Sequence, residues 1–237
     1  MNHRHISLCL TCLNNLELLQ ESFAQVMNDH RISEIVISDD YSEAPNFTQM
    51  MNAFKGTKVK LFRNERNVGC YENKRNAIQH AKNDYVIIFD SDNVLRKEYI
   101  DAIYSCEWRP DTILQPEFAE PAFNFTPWSG MTITHENVAN LFNTSNTAKG
   151  QFDCLLNVMN YFVHRDSYLQ VWEERSDPWA ADSILQNYNW FKSGRNMFVV
   201  PGMRYFHRLH TGSHFLAHEK KSRELHKELA DKIKELV

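Results

Sequence analysis

The chain has 237 residues, of which 43% are hydrophobic and 24% charged, the proportions of a globular protein with a sizeable core and not of a disordered or collagen-like chain. Its 26 Lys and Arg stand against 30 Asp and Glu, and the net charge of −4 excludes the global positive field that a nucleic acid or anionic membrane partner calls for. The length suits one α/β domain, and the longest apolar run, Tyr85–Phe89, is far below the roughly 20 residues of a membrane span.

In chain order, Ile6–Thr11 reads as a strand, and Leu16–Met27 as a helix with Leu16, Leu19, Phe23 and Val26 at helical spacing. Glu34–Ser38 is a second strand, Asn46–Phe54 a helix, Val59–Phe62 a third strand, Tyr71–Ala81 a helix and Tyr85–Phe89 a fourth strand. Short apolar strands alternating with helices predict a parallel or mostly parallel sheet covered on both faces. Beyond them, Arg96–Cys106 reads as a helix, Thr112–Pro116 as a strand, and Phe118–Gly150 as a long irregular stretch of the kind that forms binding loops. Phe152–Phe162 and Ser167–Glu174 resume order, Asp182–Phe191 is a helix and Phe198–Val200 a short strand. His218–Leu236 is a charged amphipathic helix whose Leu225, Leu229, Ile233 and Leu236 form one stripe, expected to pack on the body or on a second subunit.

Five scattered cysteines, an odd number, argue against a disulfide framework and for a reducing compartment. Met1–His5 leads directly into the first strand without an apolar signal segment, so the expected location is the cytoplasm. Cys9 and Cys12 form a C-x-x-C, but Cys9 falls inside a strand pattern and no second pair follows at zinc spacing, so redox or zinc chemistry ranks last.

Chemistry concentrates where the predicted strands end. Asp90-Ser91-Asp92-Asn93 follows the apolar run directly, and two carboxylates at i and i+2 past a strand end suit one divalent cation that shares its oxygen ligands with phosphate. The same residues also suit a solvated turn with a helix cap. Asp39-Asp40 closes the second strand, and Thr11 with Asn14-Asn15 closes the first. In open α/β sheets ligands bind beyond the carboxyl ends of the strands, so three polar strand ends on one edge mark the candidate site.

The succession Ile6-Ser-Leu-Cys-Leu-Thr-Cys-Leu-Asn-Asn15, Ile35-Val-Ile-Ser-Asp-Asp-Tyr-Ser42, Asn67-Val-Gly69 with Asn73-Lys-Arg-Asn76, and Asp84-Tyr-Val-Ile-Ile-Phe-Asp-Ser-Asp-Asn93 resembles the nucleotide-binding half of family 2 glycosyltransferases with the GT-A fold. The resemblance covers about residues 5–100 and continues weakly to about 215. It implies a single catalytic domain over 1–237, with a nucleotide-sugar half at 1–100, an acceptor half at 101–217 and the C-terminal helix at 218–237. It implies a nucleotide-sugar donor, most often a UDP-sugar, a Mn²⁺ or Mg²⁺ ion, and transfer to a hydroxyl of a glycan or other acceptor.

By that resemblance Thr11 and Asp40 match positions that contact the nucleobase and its ribose, with Asp39 as fitted to a structural role as to a ligand. Lys74 and Arg75 fall where a basic residue stands near the donor. Asp92 matches the direct metal ligand, while Asp90 meets the ribose or the metal through water, with Ser91 between them at the donor. Tyr41 departs from the usual Gly after the acidic pair, and Asn14-Asn15 from the usual Tyr-Asn. Asp182, after Pro178-Trp-Ala-Ala, matches the general base of inverting members; Asp177, Glu173 and Glu174 are its competitors, and an Asp there also suits a helix N-terminus. In Tyr205-Phe-His-Arg-Leu-His-Thr-Gly-Ser-His214, His207 is the first choice for a further metal ligand and His210 the second, and Arg208 and Ser213 are placed on the diphosphate. Phe123, Phe125 and Trp128 are candidates to stack on a sugar ring or to form a packed lid. Two other classes share these features: a non-catalytic nucleotide-sugar binder, and a sugar nucleotidyltransferase, whose Gly-rich basic loop has no counterpart in Thr11–Leu18.

Overall fold

A computed structural model describes residues 4–145, 151–175, 181–208 and 218–236. The N-terminal part is a β-α alternation: β1 (Ile6–Cys12), α1 (Leu16–Phe23), β2 (Ile32–Asp39), α2 (Ala44–Phe54), β3 (Val59–Arg63), α3 (Cys70–His80) and β4 (Tyr85–Asp90). β1 is flanked by β2 and β4, and β3 lies outside β2, all parallel. β1, β2 and β4 are buried along almost their whole length, as expected of parallel strands covered on both faces. Register then sets the strand ends side by side, with Thr11 opposite Asp90 on one flank and Cys12 opposite Asp39 on the other.

The second half carries α4 (Lys97–Tyr104), β5 (Thr112–Glu120), β6 (Phe123–Asn124), β7 (Thr132–Ile133), α5 (His135–Thr144), α6 (Gln151–Leu156), β8 (Tyr161–His164), α7 (Arg165–Gln170), α8 (Asp182–Lys192), β9 (Asn196–Phe206) and α9 (Glu219–Lys234). Among the described residues nine strands form one sheet in the order β3-β2-β1-β4-β8-β5-β9-β7, with β6 on β5. β8 runs antiparallel between β4 and β5, so the sheet is mixed and mostly parallel. Much of the stretch expected to be irregular is ordered: β5 extends to Glu120, and Thr134 with Asn137 forms a capping box that starts α5. Phe125 and Trp128 are buried in the core, so of the three candidate sugar-stacking rings these two form packing, and Phe123 sits half-buried against the edge of His207. Residues 146–150 of that stretch lie outside the described residues. α9 buries Leu225, Leu229 and Ile233 against α5 and α8 of its own chain. Among the described residues no helix is long and apolar enough to cross a membrane.

The N-terminal edge of the sheet is held by a buried carboxylate. Glu34 accepts from Ser7 Oγ at 2.6 Å and from the Lys82 amide at 2.6 Å, and pairs with Lys60. Burial alone would raise its pKa, but these donors outweigh it and hold it below the usual carboxylate value of 4.5. A depressed folded pKa contributes stability above the unfolded value that is lost as pH falls through the folded one. Glu34→Gln is therefore expected to lower the melting temperature at pH 7 through lost charge-assisted acceptors, about 1–3 kcal/mol, and the gap from wild type should close as pH falls below about 4.5 in a pH series of thermal melts.

Candidate active site

The site is built on the loops that follow β1, β2 and β4, and the first two are stapled together. Asn14 donates its amide to Ser42 Oγ at 2.7 Å, and its side-chain oxygen accepts from the Glu43 amide at 2.7 Å and Asn46 Nδ2 at 3.1 Å. Asp39 is fully buried and accepts from both the hydroxyl and the amide of Ser42, with Arg63 Nε 3.5 Å away. Burial is the largest influence on Asp39 and raises its pKa. Its carboxylate shapes the turn. Asp40 accepts from the Val68 amide at 2.7 Å, the Gly69 amide at 3.0 Å and Asn64 Nδ2 at 3.1 Å. It thereby anchors the start of α3, where Gly69 takes φ 86°, a left-handed conformation suited to glycine. Thr11 lies half-buried at the end of β1, between Ser38 and Asp90 in register.

α3 packs on β1 and β2 and turns Lys74 inward, while Arg75, one position on, pairs with Glu72 at 2.9 Å. Buried Lys74 places its ammonium 3.0 Å from Asp90 Oδ1 and 2.9 Å from Asp182 Oδ2. Burial by itself would lower the Lys74 pKa, but Asp182 and Asp90 beside it raise it well above its ordinary value. Asp182 opens α8 and is only 4% exposed, so one nitrogen joins a residue from the second half of the chain to the end of β4. The other Asp90 oxygen is met by Asn160 Nδ2 at 2.9 Å, and Asn160 Oδ1 takes the Asp90 amide at 2.8 Å. The antiparallel register of β8 explains this contact: Tyr161 pairs with Ile88, so the residue before it reaches the end of β4. Sequence reasoning gave Asn160 no role. Its only local signal is a polar residue heading an apolar run, and its partner lies 70 positions away.

After β4, Ser91 and Asp92 are half-buried in a turn, and an antiparallel bridge between Val94 and Phe206 ties this loop to the end of β9. The bridge sets Asn93 opposite His207, and Asn93 Oδ1 accepts from the Arg208 amide at 3.0 Å. The bridge thus brings the Asp90–Asp92 turn and the start of the His207 segment side by side. Among the described residues no group of three or more His, Cys, Asp or Glu stands ready as a complete metal cage. Mg²⁺ and Mn²⁺ do not need one, because such ions are held by one or two carboxylates together with substrate phosphates and water. Asp92 and the one-third exposed Asp90 carboxylate fit that donor set. The Arg208 guanidinium pairs with Glu21 of α1 at 2.6 Å. Ser213, His210 and Asp177 lie outside the described residues.

Cysteine chemistry finds little support in this site. Cys70 adjoins Lys74 and Asp182, yet burial, and secondarily Asp182, pushes its pKa up to about 12. Cys12 is pushed up to about 11, chiefly by burial, and Cys9 is likewise raised, so the C-x-x-C thiols are buried and protonated at neutral pH.

Residues 7–105 match the family model described as Glycosyl transferase family 2. No curated protein matches the chain in sequence. Among solved structures, residues 1–349 of S. aureus TarS in complex with UDP-GlcNAc superpose with a TM-score of 0.69 at 15% identity, covering 98% of this chain and 67% of that one. GalNAc-T7 with UDP, GalNAc and Mn²⁺ superposes with a TM-score of 0.61 at 15% identity, covering 88% of this chain and 44% of that one. The chain thus spans two thirds of the first structure and under half of the second.

Proposed function

We infer that the chain is a glycosyltransferase with the GT-A fold that transfers a sugar from a UDP-sugar to an acceptor hydroxyl with inversion, a reading supported by the family 2 match over residues 7–105 and by the fold it shares with UDP-sugar-bound structures. The observation that carries the reading is the Lys74 bridge, which brings Asp182 and Asp90 to one nitrogen from opposite halves of the chain. We read 1–237 as one catalytic domain, with the donor half ending near residue 100.

In this reading Asp182 is the general base. Its Oδ2 stays on Lys74 and its Oδ1 takes the proton of the acceptor hydroxyl. The hydroxyl oxygen bonds to the anomeric carbon from the face opposite the nucleoside diphosphate, and the bond to that leaving group breaks with the electron pair going to the phosphate oxygen. Lys74 and Arg208 add positive charge along the diphosphate edge. Asp92, Asp90 and His207 are the residues that would hold a Mn²⁺ or Mg²⁺ ion, which when bound supplies charge to the phosphates. Of the two solved structures above, one holds UDP-GlcNAc and the other UDP with Mn²⁺, which supports a UDP-sugar and a divalent metal here.

Thermal shift with UDP-, GDP- and dTDP-sugars, with and without Mn²⁺, tests the reading. Stabilisation at saturating ligand follows RT ln(1 + [L]/Kd), about 2.7 kcal/mol at a hundred times Kd, which moves the melting temperature by roughly 5–11 °C. A rise with the UDP-sugar that depends on Mn²⁺ is expected. Folded protein that responds to none of the three would overturn the donor assignment.

A further inference from the structure

We propose that Tyr41 is a stacking shelf for the nucleobase of the donor, which deepens the nucleotide-sugar reading above and rests on it. Among the described residues, Asn14 and Tyr41 are the two non-glycine residues with positive φ, at 56° and 68°. Asn tolerates that region through its short polar side chain, whereas a bulky residue there is strained. Strain of this kind persists when the surroundings over-determine it, and it gathers at ligand clamps. The surroundings here are the staple between the two loops, in which Asn14, Ser42 and Asp39 form one chain of hydrogen bonds on both sides of Tyr41.

The strain does not serve burial, because Tyr41 is 53% exposed. Its ring is instead pinned from one side: the Arg63 guanidinium lies 4.8 Å from the Tyr41 ring centroid and 4.6 Å from that of Phe47, and Arg63 also donates to the Ser42 carbonyl. A cation held between two rings fixes the outer one at low entropic cost to a ligand. Leu13, the next exposed apolar side chain on this edge at 45%, projects from the loop stapled to it. Both stand beyond the carboxyl ends of β1 and β2, where a nucleotide meets an open α/β sheet. A planar base matches a rigid aromatic face flanked by aliphatic surface, and stacking on such a face tolerates any base.

Calorimetric titration of the full chain in the presence of Mn²⁺ with UDP, and separately with the UDP-sugar, tests the assignment on wild type and on Tyr41→Phe, Tyr41→Asn and Tyr41→Gly. Phe retains the shelf and should bind as wild type does. Asn and Gly keep a left-handed backbone without the ring, and each should weaken UDP by about 5- to 150-fold, the range that base stacking on an aromatic side chain spans. Both should stay folded, with Gly melting at or above wild type because it relieves the strain. UDP affinity unchanged in Asn and Gly overturns the proposal, as does a loss confined to the UDP-sugar, which would set the ring on the sugar. If wild type binds neither ligand, the donor reading itself falls and takes the shelf with it.

Discussion

Asp182→Asn is expected to lower transfer by about 10²–10⁴-fold, the contribution of a positioned general base, while UDP affinity stays within about twofold of wild type. The substitution keeps the shape of the side chain and an oxygen for Lys74, but the amide cannot take the acceptor proton. Asp90 still faces Lys74 at 3.0 Å, so the ammonium retains a counter-charge and the fold should hold. Steady-state transfer assays set beside calorimetry with UDP separate the two effects. A large drop in turnover with unchanged nucleotide binding identifies a residue acting on the acceptor side. Near-normal transfer in a folded Asp182→Asn protein would return the base to Glu173 or Glu174 or to a residue outside the described segments.

Lys74→Met should produce the largest loss of stability. It removes the cation between two carboxylates, leaving Asp182, 4% exposed, and Asp90 to repel each other across an apolar side chain. Breaking a buried ion pair from one side costs about 3–5 kcal/mol, and the low end applies because Asp90 is a third exposed. The expected drop is roughly 6–12 °C in melting temperature for a domain of this size. The sign of the pH dependence follows from the raised pKa of Lys74: its contribution is complete below the unfolded value of 10.5 and is lost only as pH rises through the still higher folded value. The gap between wild type and Lys74→Met should therefore stay level from about pH 6 to about pH 9 and narrow only in strong alkali. Pairing the change with Asp182→Leu should recover part of the lost stability, since the double variant buries one carboxylate fewer.

The carboxylates at the strand ends were legible in the sequence because each follows an apolar run that could only be a buried strand. Asp39, Asp40, Asp90 and Asp92 all stand at or just beyond such ends in the fold. Their division of labour was not legible. Asp39 and Asp40 are adjacent in sequence, yet the first shapes the Ser42 turn and the second holds the start of α3. Likewise Lys74 and Arg75 carried equal claims on the donor, and a rotation of about 100° per residue separates them. Only the packing of α3 on β1 and β2 sends Lys74 inward and leaves Arg75 to Glu72. The region around Phe125 and Trp128 left two readings open for another reason: its strands are two residues long, too short to show a period, and its aromatics fill the core.

Local pattern was sufficient for the alternation of strands and helices, the edge on which the polar strand ends gather, and the acidic character of that edge. Each follows from hydrophobic periodicity or from the residue type that ends a strand, and these act over a few residues. The antiparallel insertion of β8, which carries Asn160 to Asp90, and the meeting of Asp90 with Asp182 through Lys74 belong to the tertiary structure. They join residues up to 108 positions apart, and only the packed sheet determines the register and helix rotation that bring such groups within a hydrogen bond of each other.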